Sequence, residues 1–407
     1  MHRRVISRVQ KLISFAERLL GGRRSGKPSN RPPSEIGPYI SRILSDAILF
    51  NEIPSPTERE VARTEFILQR LVEVGYPNSA CDDLGNVTAV LPARSNSDEY
   101  VLVFASIRCE EYSPLESMAR LEPERLRGRG VSESSIPTAS LIVLAEYLGR
   151  NEIQYDRNVI FLFTAHDPGE LDAPALEGFL ARWGSRLHCA AYLRGLELGC
   201  VGDRPLGTCK LSLKIRTSGQ ELMAGVPATS AISALATMAG RLGGIRWDAQ
   251  NATFLNVARI EAGSGFGWFA SEGEMDVEVF SPDAAALEVA KNAIVATINS
   301  VAAETSSTVD LTLKALLPPG DLSLNAELGA VVRGVHEKLR IKSRPLAIPT
   351  TAAILSSQGI PAVTLGMAEG KNSVEEEFIH IPSLEAGFRQ ILLILEASAT
   401  RQAGGDP

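Results

Sequence analysis

Residues 158–165 read NVIFLFTA, and the continuous apolar run within them, Val159–Phe163, suits a strand buried on both faces. Similar runs at Val87–Leu91, Tyr100–Ala105 and Cys189–Leu193 predict further strands. Because stretches with helical spacing separate these runs, we predict a mostly parallel sheet covered by helices, which is an α/β fold. The predicted helices are Tyr39–Phe50, Glu58–Val74, Thr138–Leu148 and Pro174–Trp183.

The segment from Thr208 to Leu316 follows a different pattern. Its predicted order is strand, helix, strand, strand, helix, strand, which is typical of a ferredoxin-like α+β unit. After it the first pattern resumes, with helices at Asn325–Leu339 and Leu384–Ala399 and a strand at Ala362–Leu365. We therefore predict one α/β domain made of residues 39–207 and 317–407, with residues 208–316 inserted as a second domain.

The first 38 residues differ from the rest in charge. Residues 1–27 carry eight Lys or Arg and one Glu, whereas the whole chain of 407 residues has a net charge of −7. Helical spacing predicts a basic amphipathic helix, followed by a Pro-rich linker. Two interpretations stay open: residues 1–24 make weak contact with an anionic membrane surface, or the helix packs on the protein or frays in solvent. The apolar positions are Val5, Val9, Leu12, Ile13, Ala16, Leu19 and Leu20.

The composition limits the classes of function. A hydrophobic content of 44% and a charged content of 22% are ordinary for a globular protein, and the acidic balance argues against a nucleic-acid partner. No apolar run is long enough to predict a transmembrane helix. The cysteines form no CxxC pair, which predicts reduced thiols in a cytoplasmic protein, peripheral at the membrane if residues 1–24 bind there. They are Cys81, Cys109, Cys189, Cys200 and Cys209.

Six phrases resemble the dimetal exopeptidase and amidohydrolase family, whose members include carboxypeptidase G, peptidase T, aminoacylase and succinyl-diaminopimelate desuccinylase. The resemblance implies a zinc-peptidase-like domain with an inserted lid or dimerisation domain, and a homodimer. It also implies two zinc ions near the carboxyl ends of the central strands, which activate a water molecule. The phrases are SPTEREVARTEFILQRLVEVGY (55–76), DDLGNVTAVLPA (82–93), LRGRGVSESS (126–135), VIFLFTAHDPGE (159–170), GIPAVTLG (359–366) and EEEFIHIPSL (375–384).

Nearly every residue that the family uses to hold zinc is replaced in this chain. Proline offers no side-chain donor atom, and an arginine guanidinium stays charged and repels a metal ion. Zinc-dependent hydrolysis is therefore not expected, and we predict no metal cofactor. The positions are Ser106 and Arg108 for a His-x-Asp pair, Glu133 for the bridging Asp, Asp167 for the general base, Pro168 and Arg194 for acidic ligands, Glu221 for the oxyanion-binding His, and Ser373 or Asn372 for the last His.

Two of these replacements introduce the positive charge that zinc supplies in the family. Without metal, Glu133 and Asp167 would repel each other in a partly desolvated cleft. Arg108 and Arg194 are placed where they could neutralise both carboxylates. We therefore predict guanidinium–carboxylate pairs among these four residues. The alternative is that both arginine side chains reach solvent and that the cleft is eroded.

Three further stretches contain residue types that could take part in chemistry. Cys109 and His166 follow strand ends at the same rim and form a candidate Cys–His dyad, but dyads outside a known motif seldom prove catalytic. The glycines of residues 263–267 lack the context of a phosphate loop and are predicted to form a turn between two strands. Residues 375–377, Glu-Glu-Glu, are expected to begin a solvated helix.

The leading functional hypothesis is a peptidase-family protein with a degenerate metal site. Such a protein would act without catalysis, by binding a peptide-like ligand or a protein partner. The alternative is an active amide-bond hydrolase that keeps a rearranged metal shell or uses Cys109 as its nucleophile. Metal content after purification without a chelator separates the two hypotheses.

Overall fold

The computed structural model describes residues 36–54, 60–108, 118–165, 174–218, 229–246, 253–263 and 265–401. The helix and most of the linker predicted before residue 36 lie outside these ranges.

Helices and strands alternate before the inserted segment, as predicted. Strand β2 and helix α4 have the predicted bounds. In chain order the elements are α1 (Gly37–Asn51), α2 (Val61–Glu73), β1 (Ala80–Cys81), β2 (Val87–Leu91), β3 (Tyr100–Ser106), β4 (Arg120–Leu121), β5 (Arg125–Arg127), a π-helical turn (Val131–Ser135), α3 (Ile136–Arg150), β6 (Asn158–Thr164), α4 (Pro174–Trp183), a 3-10 turn (Gly184–Arg186), β7 (Leu187–Arg194) and β8 (Cys200–Val201).

The inserted segment and the return to the first layer complete the chain. The last helix, α9, has the predicted bounds. The elements are β9 (Gly207–Arg216), α5 (Ala231–Gly244), β10 (Phe254–Ala262), β11 (Glu272–Ser281), α6 (Ala284–Glu304), β12 (Thr308–Leu317), α7 (Leu322–Leu339), β13 (Arg344–Pro345), α8 (Ala352–Ser357), β14 (Ala362–Gly366), β15 (Gly370–Asn372), β16 (Glu377–His380), a 3-10 turn (Ile381–Ser383) and α9 (Leu384–Ala399).

The largest sheet has six strands in the order β1-β2-β6-β3-β7-β14. Strands β6, β3, β7 and β14 run parallel, whereas β1 and β2 are antiparallel to their neighbours. Every residue of β6 is buried, because helices cover both faces of the sheet. Phe161 and Phe163 pack into one hydrophobic cluster and Ile160 and Leu162 into the other. The predicted mostly parallel α/β layer is confirmed.

A second sheet has four antiparallel strands in the order β10-β11-β9-β12. Helices α5 and α6 pack on one of its faces, around Leu213, Met275 and Ile294. This order and the intervening helices form the predicted ferredoxin-like α+β unit. The glycine-rich stretch between β10 and β11 lies at their connection, where Gly263, Gly265 and Gly267 have positive φ angles that suit glycine.

A small third sheet, in the order β15-β16-β5-β4, corrects one sequence prediction. Residues 375–377 do not begin a solvated helix. Glu377 is the first residue of β16 and is 2% exposed. The charge pattern misled the prediction, because backbone and hydroxyl donors surround this carboxylate and satisfy it inside the protein.

His336 lies fully buried between α7 and α9. Its Nε2 is 2.5 Å from Gln390 Oε1, and its Nδ1 is 2.8 Å from Ser343 Oγ. Because an amide oxygen only accepts, Nε2 donates to it, and in the neutral ring Nδ1 accepts from the hydroxyl of Ser343. Burial lowers the pKa of His336 below its ordinary value.

Acidification is expected to weaken the fold through His336. With a lowered pKa in the folded state, His336 binds protons in the unfolded chain first, so the free energy of unfolding falls as the pH drops below about 6.5. A single such group changes this free energy by at most about 1.4 kcal/mol per pH unit. Urea denaturation at several pH values should show a flatter dependence for His336→Gln than for the control His380→Gln. Parallel curves for the two variants would contradict this assignment.

Among the described residues, no helix is both long and apolar enough to span a membrane.

Candidate active-site region

The carboxyl ends of β3 and β7 meet at one edge of the large sheet, where ligands bind in open α/β sheets. Ser106 ends β3 and is 1% exposed, whereas Arg194 ends β7 and is half-buried. The hydroxyl oxygen of Ser106 accepts a hydrogen bond from the backbone N–H of Arg108 at 3.3 Å. The Ser106 hydroxyl therefore already stabilises the turn that leads to Arg108.

Glu133 lies on the π-helical turn at the same edge, and buried Glu377 fixes this turn. The Glu377 carboxylate accepts hydrogen bonds from the backbone N–H of Gly130 at 2.8 Å and of Ser132 at 2.6 Å. It also accepts one from the Ser132 hydroxyl at 2.7 Å. Gly130 has φ +77°, a conformation that favours glycine. These three hydrogen bonds thus hold the backbone around Glu133.

The hairpin of β15 and β16 brings its tip to Glu133. Asn372 Nδ2 donates a hydrogen bond to Glu133 Oε1 at 3.1 Å. The Arg129 guanidinium binds the tip by donating to the carbonyl oxygens of Ser373, at 2.5 Å, and of Val374. Of the two residues considered for the last His position, Asn372 is the one whose side chain meets the acidic residue. Ser373 instead bonds to Glu376 within the hairpin.

Gly195, which follows Arg194, packs closely against the π-helical turn and so positions Arg194 in this region. The backbone N–H of Gly195 donates to the carbonyl oxygen of Ser132 at 3.0 Å. A Cβ atom at position 195 would lie 2.2 Å from that oxygen, so no larger residue fits without moving the turn. The end of β7 and the turn that carries Glu133 are therefore packed directly against each other.

A buried arginine, which the sequence analysis did not single out, lies beneath this region. Arg63 of α2 is 1% exposed and its guanidinium lies over the Phe50 ring, 4.6 Å from the centroid. It donates to the carbonyl oxygens of Ile107 at 2.5 Å and Ile53 at 3.1 Å, and to Ser134 Oγ at 3.1 Å. Arg63 thus ties the residue before Arg108 to the π-helical turn.

The structure places five of the predicted site positions at this edge. These are Ser106, Arg108, Glu133, Arg194 and the hairpin position of Asn372 and Ser373. The other predicted positions lie outside the described residues, so the pairing of Arg108 and Arg194 with Glu133 and Asp167 stays a prediction. Those outside are Cys109, His166, Asp167, Pro168 and Glu221.

The donor atoms described at this edge do not fit a dinuclear zinc site. Such a site needs several imidazole or carboxylate ligands, and here one carboxylate lies beside an amide. Arg108 and Arg194 would add positive charge next to any cation. Within the described ranges, no group of three or more His, Cys, Asp or Glu residues is arranged to hold a metal ion.

Sequence comparison finds no matching family model and no matching curated protein. Solved structures do match over nearly the whole chain. Aminopeptidase PepT from Bacillus cereus is 16% identical, with 89% of this chain and 99% of that chain covered at a TM-score of 0.67. The dipeptidase Dug1p from Saccharomyces cerevisiae is 11% identical, with 96% and 98% covered at a TM-score of 0.72.

The Bacillus subtilis protein YXEP, described as a dinuclear metal-binding peptidase of the M20 family, is 15% identical. In that comparison 89% of this chain and 98% of that chain are covered, at a TM-score of 0.59. These structural matches confirm, for the fold, the family resemblance that the six sequence phrases predict. The chain has the fold of the M20-type metallopeptidases and related amidohydrolases.

Proposed function

We propose that the protein is a peptidase-like pseudoenzyme, which binds a peptide-like ligand or a protein partner and does not hydrolyse it through zinc. The observation that carries this proposal is the hydrogen bond from the Asn372 amide to Glu133. In the family that the sequence resembles, an acid at the position of Glu133 bridges two metal ions. Here a neutral amide from the hairpin donates a hydrogen bond to Oε1 of that carboxylate.

The charges at the strand ends support the same proposal. Arg194 ends β7 and Arg108 lies two residues after β3, at positions where the resemblance predicts acidic ligands. A guanidinium binds carboxylates through paired N–H donors, so such a cleft suits a peptide with a terminal or side-chain carboxylate. Hydrogen bonds of the Glu377 carboxylate and the Arg63 guanidinium hold the backbone of the site. Binding could thus continue after the chemistry was lost.

Metal analysis tests this proposal. We expect protein purified without a chelator to carry far less than one zinc per chain, and added zinc to leave its Tm unchanged. A positive control is the fourfold variant Ser106→His, Arg108→Asp, Arg194→Glu and Asn372→His, which restores zinc-binding types and should gain both zinc and Tm.

Two results would count against a pseudoenzyme. Stoichiometric zinc in the natural protein, with peptide cleavage abolished by a chelator, would identify a metal-dependent hydrolase. Cleavage that survives the chelator but disappears in Cys109→Ser would assign hydrolysis to the thiol.

We also propose a homodimer formed through the inserted segment, with domain boundaries at residues 208 and 316. Strand β10 is the edge of the four-stranded sheet, and an unpaired edge is a template for a second chain. Ile260 of β10 and Ile232 of α5 are 47% and 49% exposed. Analytical ultracentrifugation should find Ile232→Asp more monomeric than the control Val289→Asp, which alters an exposed residue of α6.

For the compartment we propose the cytoplasm. Four cysteines, Cys81, Cys189, Cys200 and Cys209, are free thiols, which fits a reducing environment.

A further inference from the structure

A groove of about 1000 Å³ lies at the β1–β2 edge of the large sheet, beyond the parallel strands that carry the candidate site. Tyr76 and Pro77, which follow α2, line one side, and Phe179 and Trp183 of α4 line another. Val90 of β2 also lines the groove, and it is 37% exposed although it belongs to a sheet strand. The groove therefore presents apolar side chains that a further segment could cover.

The strand beside this groove is only partly covered. Strand β1 pairs with Val87 and Thr88 of β2, and the pairing described for β1 stops there. Residues 89–91 pair with β6 on their inner side. A short edge strand of this kind leaves the wall of the groove accessible along most of β2.

The chain enters the described structure beside the groove. The Tyr39 hydroxyl, three residues into the described part, accepts a hydrogen bond from Asn151 Nδ2 at 3.2 Å. Asn151 directly follows Arg150, which lines the groove together with Gly149. The first turn of α1 thus contacts the residue that directly follows the groove lining.

We propose that residues 1–24 dock in this groove as an intramolecular amphipathic helix. The apolar positions of that segment, from Val5 to Leu20, recur at helical spacing and share one face, while its basic residues lie on the other. An isolated helix of this length is marginal in water and gains stability by burying its apolar face. The groove supplies the apolar surface that such a face needs.

The covalent link through residues 25–35 favours binding of residues 1–24 to this groove over binding to a membrane. Eleven residues separate position 24 from Ile36, and extended chain spans at most about 3.6 Å per residue, so this linker can span up to about 40 Å. A covalent connection of this length gives an effective concentration in the millimolar range. A single amphipathic helix, in contrast, binds lipid weakly without a second anchor.

Cys81 provides a direct readout, because it is exposed and lines the groove. Cys189, Cys200 and Cys209 are buried, and Cys109→Ser as the common background removes the remaining thiol. Full-length protein would be labelled with a maleimide at one fixed pH. We expect the double variant Leu12→Asp, Leu19→Asp to be labelled about tenfold faster, since a helix docked nine-tenths of the time shields the thiol to that extent.

The matched control is Ser7→Asp, Ser14→Asp, which adds the same charge to the opposite face of the predicted helix. It should be labelled at the natural rate, and circular dichroism should show that all three proteins keep their fold. Equal labelling rates in all three proteins would overturn the proposal. So would binding to phosphatidylserine vesicles that Leu12→Asp, Leu19→Asp abolishes while the Cys81 rate stays unchanged, since this result would assign the segment to a membrane.

Discussion

Replacing Glu377 by alanine is expected to lower the free energy of unfolding by about 3–5 kcal/mol. Its carboxylate is buried and accepts three hydrogen bonds, two of them from the backbone of Gly130 and Ser132. Without it those two N–H groups stay buried with no acceptor, and each such group costs about 1–3 kcal/mol. Urea denaturation monitored by circular dichroism measures the loss.

The natural control is two residues away. Glu375 is exposed in the same hairpin, and Glu375→Ala should change stability by no more than about 0.5 kcal/mol. Similar effects for the two alanine variants would mean that Glu377 does not carry the turn. We also expect Glu377→Ala to speed amide hydrogen exchange over residues 130–135, because the carboxylate holds that turn.

Replacing Arg63 by methionine should be similarly costly, at about 3–5 kcal/mol. Methionine keeps much of the apolar stem but leaves the carbonyl oxygens of Ile53 and Ile107 without the guanidinium that bonds to them. Hydrogen bonds to a charged group contribute about 1.5–3 kcal/mol each, more than neutral ones. The urea midpoint of the variant again gives the measurement.

Glu65→Met is the matched control for this change, since Glu65 is exposed on the same helix and receives the same side chain. It should leave the urea midpoint within the range of an ordinary surface substitution. If Arg63→Met proved as stable as this control, the buried guanidinium would not be needed to join the Ile107 carbonyl to the π-helical turn.

Much of the fold could be predicted because a strand buried on both faces consists largely of consecutive apolar residues. Strand β6 is apolar from Val159 to Phe163, and its predicted and observed bounds differ by one residue. Helix α9 was predicted at both ends by its apolar periodicity. Strands β1, β4, β8 and β13 have two residues each, which are too few for any periodicity, so the sequence predicts no strand at these positions.

The candidate site was predictable only in part. The phrases located Ser106, Glu133 and Arg194, because strand ends follow apolar runs. They could not show which hairpin residue meets Glu133, since this depends on the register of β15 and β16. Arg63 carried a signal that was not used: it lies four residues before Ile67 and eight before Leu71, on the buried face of α2.

The two chain crossings between the layers have an evolutionary consequence. A Cβ atom on Gly207 would lie 2.7 Å from the Pro319 nitrogen, and the Gly320 N–H bonds to the Pro205 carbonyl at 2.9 Å. The more than one hundred residues between them therefore leave and return at one point, so an ancestor lacking them needs only a short bridge there. Inserting a segment whose two ends lie close together leaves the backbone path of the surrounding domain unchanged. Such a segment could therefore be gained, exchanged or lost during evolution without disrupting that domain.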